Sequence, residues 1–272
     1  MRPVLFAVAV LATWPMSARS RVVSLDQCAD QYVLALSPRA QIATVSNRAL
    51  NADSYLRERA SGLPRGRADV ETVLAARPDV VVRWWGGEPR LLADLARRGV
   101  TVVRLEDAQD FDGVRRNVRL VAKALRQESA GERIVGDMDR RLAAVAGAWR
   151  GQGGFYLTSG GATTGPGTLV DAMMRGAGLM NVETGPGFHA VSLERLVVRP
   201  PGAVVRGFFD ASDAGRSTWG IGRHRVLRNL LAGRTMVSLP GSILACPAWF
   251  AVDGVEMIAK AAPTRVGASP AP

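Results

Sequence analysis

The sequence predicts an α/β protein built as two three-layer lobes, each a mainly parallel sheet covered by helices, with one long interdomain helix joining them. Three observations predict it. Short β-branched runs alternate with helical periodicity over most of the chain, which is the pattern of βαβ units. One helix-turn-strand unit occurs twice: VETVLAARPDVVVRW (Val70 to Trp84) and LERLVVRPPGAVVRG (Leu193 to Gly207) align without a gap, matching Glu71 with Glu194 and Pro78 with Pro201. Between the two copies lies a stretch of helical spacing without strands.

Taken in order, residues 1–20 (MRPVLFAVAVLATWPMSARS) carry one early Arg, an apolar run from Val4 to Ala12, and Ala18 and Ser20 at the minus-three and minus-one positions of a cut. This is the pattern of a secretory signal peptide, too short for a stop-transfer helix. No cysteine stands at the cut to take a lipid, so the mature chain is expected to begin near Arg21, unlipidated, in the periplasm. A first lobe over 21–126 opens with the strand RVVSL and the helix DQCADQYVLALSP, where Cys28, Tyr32, Ala35 and Leu36 recur at helical spacing until Pro38 stops it. QIATVS reads as a strand and ADVETVLAARPD as a helix with Val70, Val73 and Leu74 on one face. VVVRW (strand), PRLLADLARRG (helix, stopped by Gly99) and VTVVRL (strand) follow.

From Asp110 the pattern turns helical. After FDGVRRNVRLVAKALRQ, a linking helix is expected over 127–150, with Ile134, Met138, Leu142, Val145 and Trp149 on one apolar face. The second lobe, 151–264, reads as the strand FYLTSGG, the helices TLVDAMMRGAG and SLERLVVRPP, the strand AVVRGFF, the helix HRVLRNLLAG, the strand TMVSLPG and a last helix around VDGVEMIAKAA. Residues 265–272, without apolar period, read as a disordered tail.

The formal charge of +11 comes almost entirely from arginine, since lysine occurs only at Lys123 and Lys260. The arginines alternate with acids rather than forming a stripe with interleaved aromatics, which argues against a nucleic-acid partner. GGATTGPGT (Gly160 to Thr168) has the glycine spacing of a phosphate loop, but Pro166 and Gly167 stand where Lys and Ser/Thr are needed; it reads as a strand-to-helix turn with backbone N–H groups facing a cleft. The two histidines, His189 and His224, have no metal-site spacing, and no Gly-x-Ser-x-Gly elbow occurs. No catalytic residue, metal ligand or cofactor is therefore assigned. His189 is expected to face the cleft and His224 to cap a surface helix. Cys28 and Cys246 leave three readings open: a disulfide, a pair of thiols facing a ligand, or two unrelated thiols.

In open α/β sheets ligands bind outside the carboxyl ends of the strands, so two facing lobes make a cleft between them. The duplicated unit delivers aromatics to that place: Trp84 and Trp85 after the first copy, Phe208 and Phe209 after the second. The alternative for each ring is inward packing beneath a loop.

The signal segment, RVVSLDQCADQYVLAL, VETVLAARPDVVVRWWGG, the isolated long helix and VSLERLVVRPP together resemble the periplasmic substrate-binding proteins of ABC importers for vitamin B12 and ferric siderophores, the helical-backbone class III group, from about Arg21 to Ala262. The resemblance implies a monomer that holds a metal chelate in its cleft and makes only a small opening motion. It also implies a glutamate on each lobe, here Glu71 and Glu194, that docks into arginine pockets of a permease dimer in the inner membrane. Trp84 and the WWGG run resemble a cleft tryptophan and its WxGG continuation, and Phe188 stands where another cleft aromatic occurs. Arg48 replaces a ring, and the two cysteines lack a counterpart, so corrinoid, siderophore and haem all remain open as ligands. The candidate cleft set is Trp84, Trp85, Arg48, Phe188, His189, Phe208, Trp219, Trp249, Cys28 and Cys246. Two other classes are carried beside this one: an enzyme on the same two lobes, chelatase-like or a hydrolase, and a protein whose two thiols bind a soft metal such as Cu(I) or Zn(II).

Overall fold

In the computed structural model, which describes residues 20–208, 225, 229 and 231–263, the β-branched runs become strands of two parallel sheets. The first sheet has the order β3-β2-β1-β4-β5, with β1 (Val22–Ser24), β2 (Ile42–Ser46), β3 (Arg65–Gly66), β4 (Val80–Arg83) and β5 (Thr101–Arg104). Strands β1 and β4 lie side by side, from Val22 opposite Val80 to Ser24 opposite Val82. Their valines are buried on both faces, as helix-covered parallel strands require. Helices α1 (Gln27–Leu36) and α5 (Phe111–Ala124) cover one face through Tyr32, Val33, Val118 and Val121. The short α2 (Arg57–Ala60) lies after β2, and α3 (Val70–Ala75) and α4 (Pro89–Arg97) cover the other face through Val73, Leu91 and Leu95.

The chain leaves β1 toward β2 and leaves β4 toward β5, in opposite directions across the sheet. The crevice at their carboxyl ends is a topological switch point, and Trp84 follows β4 directly into it. The second sheet repeats the device in the order β11-β10-β6-β8, all parallel, with β6 (Gly153–Thr158), β8 (Met180–Asn181), β10 (Ala203–Gly207) and β11 (Thr235–Leu239). Here the switch point falls between β6 and β10, where the Ser159 hydroxyl donates to the Phe208 carbonyl at 3.2 Å. Helices α7 (Leu169–Gly176), α8 (Leu193–Val198), α9 (Gly241–Leu244) and α10 (Ala251–Lys260) complete this lobe.

Two features differ from the sequence expectation. GGATTGPGT is not one open turn: β7 (Ala162–Thr164) pairs antiparallel with β9 (Phe188–Ala190), a three-residue pairing too short to show period-2 alternation. The linking helix α6 (Glu128–Val145) ends before Trp149. The turns after it still deliver Trp149 into the same core as Met138, with its indole N–H donating to the Ile258 carbonyl at 2.7 Å, so the apolar period outlasts the helix. Residues 1–19, Phe209, Trp219, His224, half of the expected helix HRVLRNLLAG and the tail from 264 lie outside the described residues. Among the described residues, no helix is long and apolar enough to cross a membrane.

A seam between the lobes runs beside α6. Cys28 and Cys246 form a disulfide with their Cα atoms 5.2 Å apart. Next to it the Tyr32 hydroxyl donates to the Pro247 carbonyl at 2.7 Å, and Tyr55 stacks on Phe250 with centroids 4.1 Å apart. The Tyr55 hydroxyl donates to Asp253 at 2.6 Å, and Arg141 of α6 donates to Asp253 and Glu256 at 2.6 Å each. Burial and the neighbouring Asp253 carboxylate push the Tyr55 phenol up to about 12. The disulfide closes a loop of sequence separation 218, so its effect on the unfolded chain is near the top of the usual range. Cys28→Ser with Cys246→Ser is expected to cost about 4 kcal/mol of unfolding free energy; denaturant melts of oxidised, reduced and double-serine protein check this, and coincident curves would refute it.

Candidate ligand cleft

The cavity between the lobes has a volume of about 340 Å³; the first lobe's switch point supplies Trp84, while the second lobe supplies the start of α7 and of β9 rather than its own switch point. Trp84, Asp107, Ala108 and Gln109 line it from the first lobe; Gly167 to Val170, Met173, Gly187 and Phe188 line it from the second. Residues Ile243 to Pro247 close it beside the seam. A wider hollow of about 690 Å³ shares Trp84 and Asp107 with it and adds Arg83, Trp85, Arg104, Leu105 and Glu106. Rings on facing walls with a few polar groups suit a bulky, flat ligand.

The placement of Trp84 follows from β4 and its surroundings. At the end of this strand the backbone N–H groups of Trp84, Trp85 and Gly86 all donate to Asp26 Oδ2, at 2.7, 3.2 and 3.0 Å. Gly86 is required there because a Cβ would sit 2.6 Å from the Leu25 carbonyl oxygen. Trp84 is half-buried and packs against the core that holds Cys246 and Ala248, whereas Trp85 is 53% exposed. Arg48, itself exposed, places its guanidinium 5.6 Å from the centre of the Trp85 ring, within cation–π range. Arg48 therefore belongs to the rim of the hollow rather than to the cavity wall.

Phe188 is 59% exposed on β9 and meets Tyr156 edge-on at 6.4 Å. Strand alternation then sends His189 the opposite way, with its Nε2 3.4 Å from Glu183 Oε1. The expectation that His189 faces the cleft is thereby corrected. Burial works against the charge on Glu183, but the Gly185 N–H, His189 and Arg195 outweigh it and hold the carboxyl below its usual range. Phe208 ends β10 with a left-handed φ of 60° and is half-buried, outside the residues that line the cavity.

Trp249 does not line the cavity either; it packs edge-on against Tyr32 and Phe250, each at 5.4 Å, as part of the seam. Cys28 and Cys246 are both 3% exposed, and only Cys246 reaches the cavity floor. The disulfide settles the open pairing and leaves no thiolate for a ligand or a soft metal, which overturns the two-thiol metal site. Trp219 lies outside the described residues.

The sequence reading missed Asp26, Asp107, Gln109 and Thr168. Thr168 caps α7, accepting from the Asp171 N–H at 3.3 Å; Thr followed by Leu and Val at a helix start was the available signal. Asp26 had a similar signal, because Asp precedes the first apolar helical turn. Glu71 and Glu194 stand in the first turns of α3 and α8, but the caps are Asp69 and Ser192. The side chains of the two glutamates are exposed and make no hydrogen bond or ion pair with the described residues; in these first turns the helix dipole favours their charge.

Asp30 anchors the segment leading to Arg48. It accepts from the Ser24 hydroxyl, from the Ser46 N–H at 2.8 Å and from the Ser46 hydroxyl at 2.5 Å. Burial raises its pKa to about 6, against the lowering effect of those three bonds and with a small upward push from Asp26. The native state thus holds this proton more tightly than the unfolded chain does. Its stabilising contribution is complete below about pH 4 and is lost as pH rises through about 6. Asp30→Asn is expected to remove this slope, worth on the order of 3 kcal/mol. Unfolding curves at intervals from pH 4 to 7 check it, and parallel curves for the two proteins would refute it.

A family model described as periplasmic binding protein matches residues 22–232. The cobalamin-binding proteins of two Halobacterium salinarum strains are 28% identical over 234 residues, or 80% of this chain. The chain spans 62% of the length of those curated relatives. Among solved structures, a periplasmic haem-binding protein of Vibrio cholerae superposes with a TM-score of 0.71 at 17% identity, covering 89% of this chain and 98% of its own. The periplasmic vitamin B12-binding protein of the same organism gives 0.64 at 19% identity, covering 89% and 96%. At these identities the structures show a common fold.

Proposed function

We propose that this chain, which belongs to the periplasmic binding protein family, captures a metal chelate in its interlobe cleft and hands it to an ABC import permease. The observation that carries the reading is one cavity lined by an aromatic ring from each lobe, Trp84 and Phe188. Stacking between such rings recognises a large flat surface and needs no group for turnover. The cobalamin-binding name of the matched relatives supports a tetrapyrrole-like chelate, and residues 1–20 fit a leader that would place the mature chain, unlipidated, in the periplasm. Glu71 and Glu194, exposed and unpaired at equivalent positions of the duplicated unit, are the proposed permease contacts.

Calorimetric titration of the mature protein with cyanocobalamin, hemin and ferric siderophores tests the proposal; heat from none of them would defeat it. For the ligand that binds, Trp84→Ala is expected to weaken affinity by about 1 to 3 kcal/mol in protein whose circular dichroism shows it folded. Exposed charges at a docking rim mainly set encounter and register. Glu71→Arg and Glu194→Arg are therefore expected to leave ligand affinity as it is while transport into permease-containing vesicles falls, most in the double variant. Lost ligand affinity with normal transport per bound ligand would assign the glutamates to the cleft or the fold instead.

A further inference from the structure

We infer that Asp26 is the positioning residue that holds the Trp84–Gly86 loop in its ligand-ready form, an inference that rests on the cleft reading above. Its carboxylate serves two chain segments at once. Oδ1 caps α1, accepting from the Cys28 and Ala29 N–H groups at 3.1 and 2.9 Å. Oδ2 accepts from the three successive N–H groups of Trp84, Trp85 and Gly86. Asp26 is 1% exposed, so these contacts are made out of water, where charge-assisted bonds are strong and an unmade one is costly.

Successive N–H groups converging on one point form a nest that ordinarily receives an anion. Here a side chain of the protein fills it, so the loop has no N–H left over for a ligand carboxylate or phosphate. The opposite side of the loop is held in the complementary way: Arg83 donates to the Gly86 carbonyl at 2.6 Å and to the Trp85 carbonyl at 3.1 Å. With its three N–H groups fixed from one side and the Trp85 and Gly86 carbonyls from the other, the loop presents chiefly its rings. Trp84 enters the cavity, and Trp85 is left on the rim under Arg48. Recognition by this loop is thus through flat apolar surface, fixed before the ligand arrives, and such preorganisation raises affinity by sparing the cost of ordering.

Asp26→Ser separates the two duties, because a serine oxygen still caps α1 but cannot reach the loop. In the ligand-free mature protein, amide exchange at Trp84, Trp85 and Gly86 is expected to speed up at least roughly tenfold while Cys28 and Ala29 stay protected. Affinity for cyanocobalamin or hemin, whichever the wild type binds, is expected to fall about tenfold. Trp84→Ala combined with Asp26→Ser should bind no more weakly than Trp84→Ala alone, since both losses act through one ring. Unchanged affinity, or losses that multiply in the double variant, would overturn the assignment. Should Asp26→Ser fail to fold, Arg83→Met removes the carbonyl side of the clamp from a partly exposed position, and the same non-additivity with Trp84→Ala is required. A wild type that binds neither probe would end the ligand reading. The clamp would then be judged on exchange alone, and unchanged exchange would overturn it too.

Discussion

One buried helix organises the loops around the cleft. The first two turns of α1 carry Asp26, Cys28, Asp30, Gln31 and Tyr32, all buried, and each reaches a different segment. Asp26 holds the loop after β4 and Cys28 is bonded to Cys246. Asp30 holds Ser46 at the end of β2, Gln31 accepts from the Leu56 N–H at 2.8 Å, and Tyr32 holds Pro247. A buried polar group costs free energy unless it is paired, so this cluster is stable only with those segments in place. A helix buried nearly all round thereby both fills the core and specifies the loop geometry.

The first switch point explains how Trp84 comes to the cleft. Parallel strands with diverging exits leave a gap at their carboxyl ends, and each sheet has one such pair, β1 with β4 and β6 with β10. The seam joins the lobe that carries the first gap, with Trp84, to the one whose α7 and β9 form the other wall of the cavity. On its N-terminal side stand the disulfide and Tyr32; on its other side Tyr55, Asp253, Glu256 and Arg141 tie α10 to α6. Arg141 holds the Glu256 carboxyl below its usual range, so that pair stays charged into acid. A covalent bond and a charged network spanning the lobes leave little freedom for wide opening.

Much of the architecture was legible in the sequence because it depends on local periodicity. The valine runs, the helix over FDGVRRNVRLVAKALRQ and the duplicated unit all announce themselves within a window of about fifteen residues. The two-stranded β7–β9 pairing did not, since three residues per strand carry no period. The cleft residues were partly legible. Trp84 and Phe188 are large rings next to glycines at strand ends, whereas Asp107 and Gln109 sit in the polar run LEDAQD, where nothing separates a lining residue from a solvated one. Trp249 and His189 look like site residues by type, yet one packs into the seam and the other turns to Glu183. Only the pairing of distant segments decides such cases.

The polar groups nearest the rings are mostly occupied by the protein itself. Asp26 uses the N–H groups of the loop, Arg83 its carbonyls, Thr168 the first turn of α7 and Glu183 the side chains of His189 and Arg195. What remains open to the cavity is aromatic and aliphatic surface with Asp107 and Gln109 beside it, while the guanidinium groups of Arg48 and Arg104 make no hydrogen bond or ion pair with the described residues. Such an arrangement separates two tasks. The fixed rings set how well a flat body fits, and the loosely held cations at the rim respond to the charge of whatever projects from that body. On the proposed function, a cleft divided in this way would keep its stacking walls while its preference among chelates of different charge shifted with one or two rim residues.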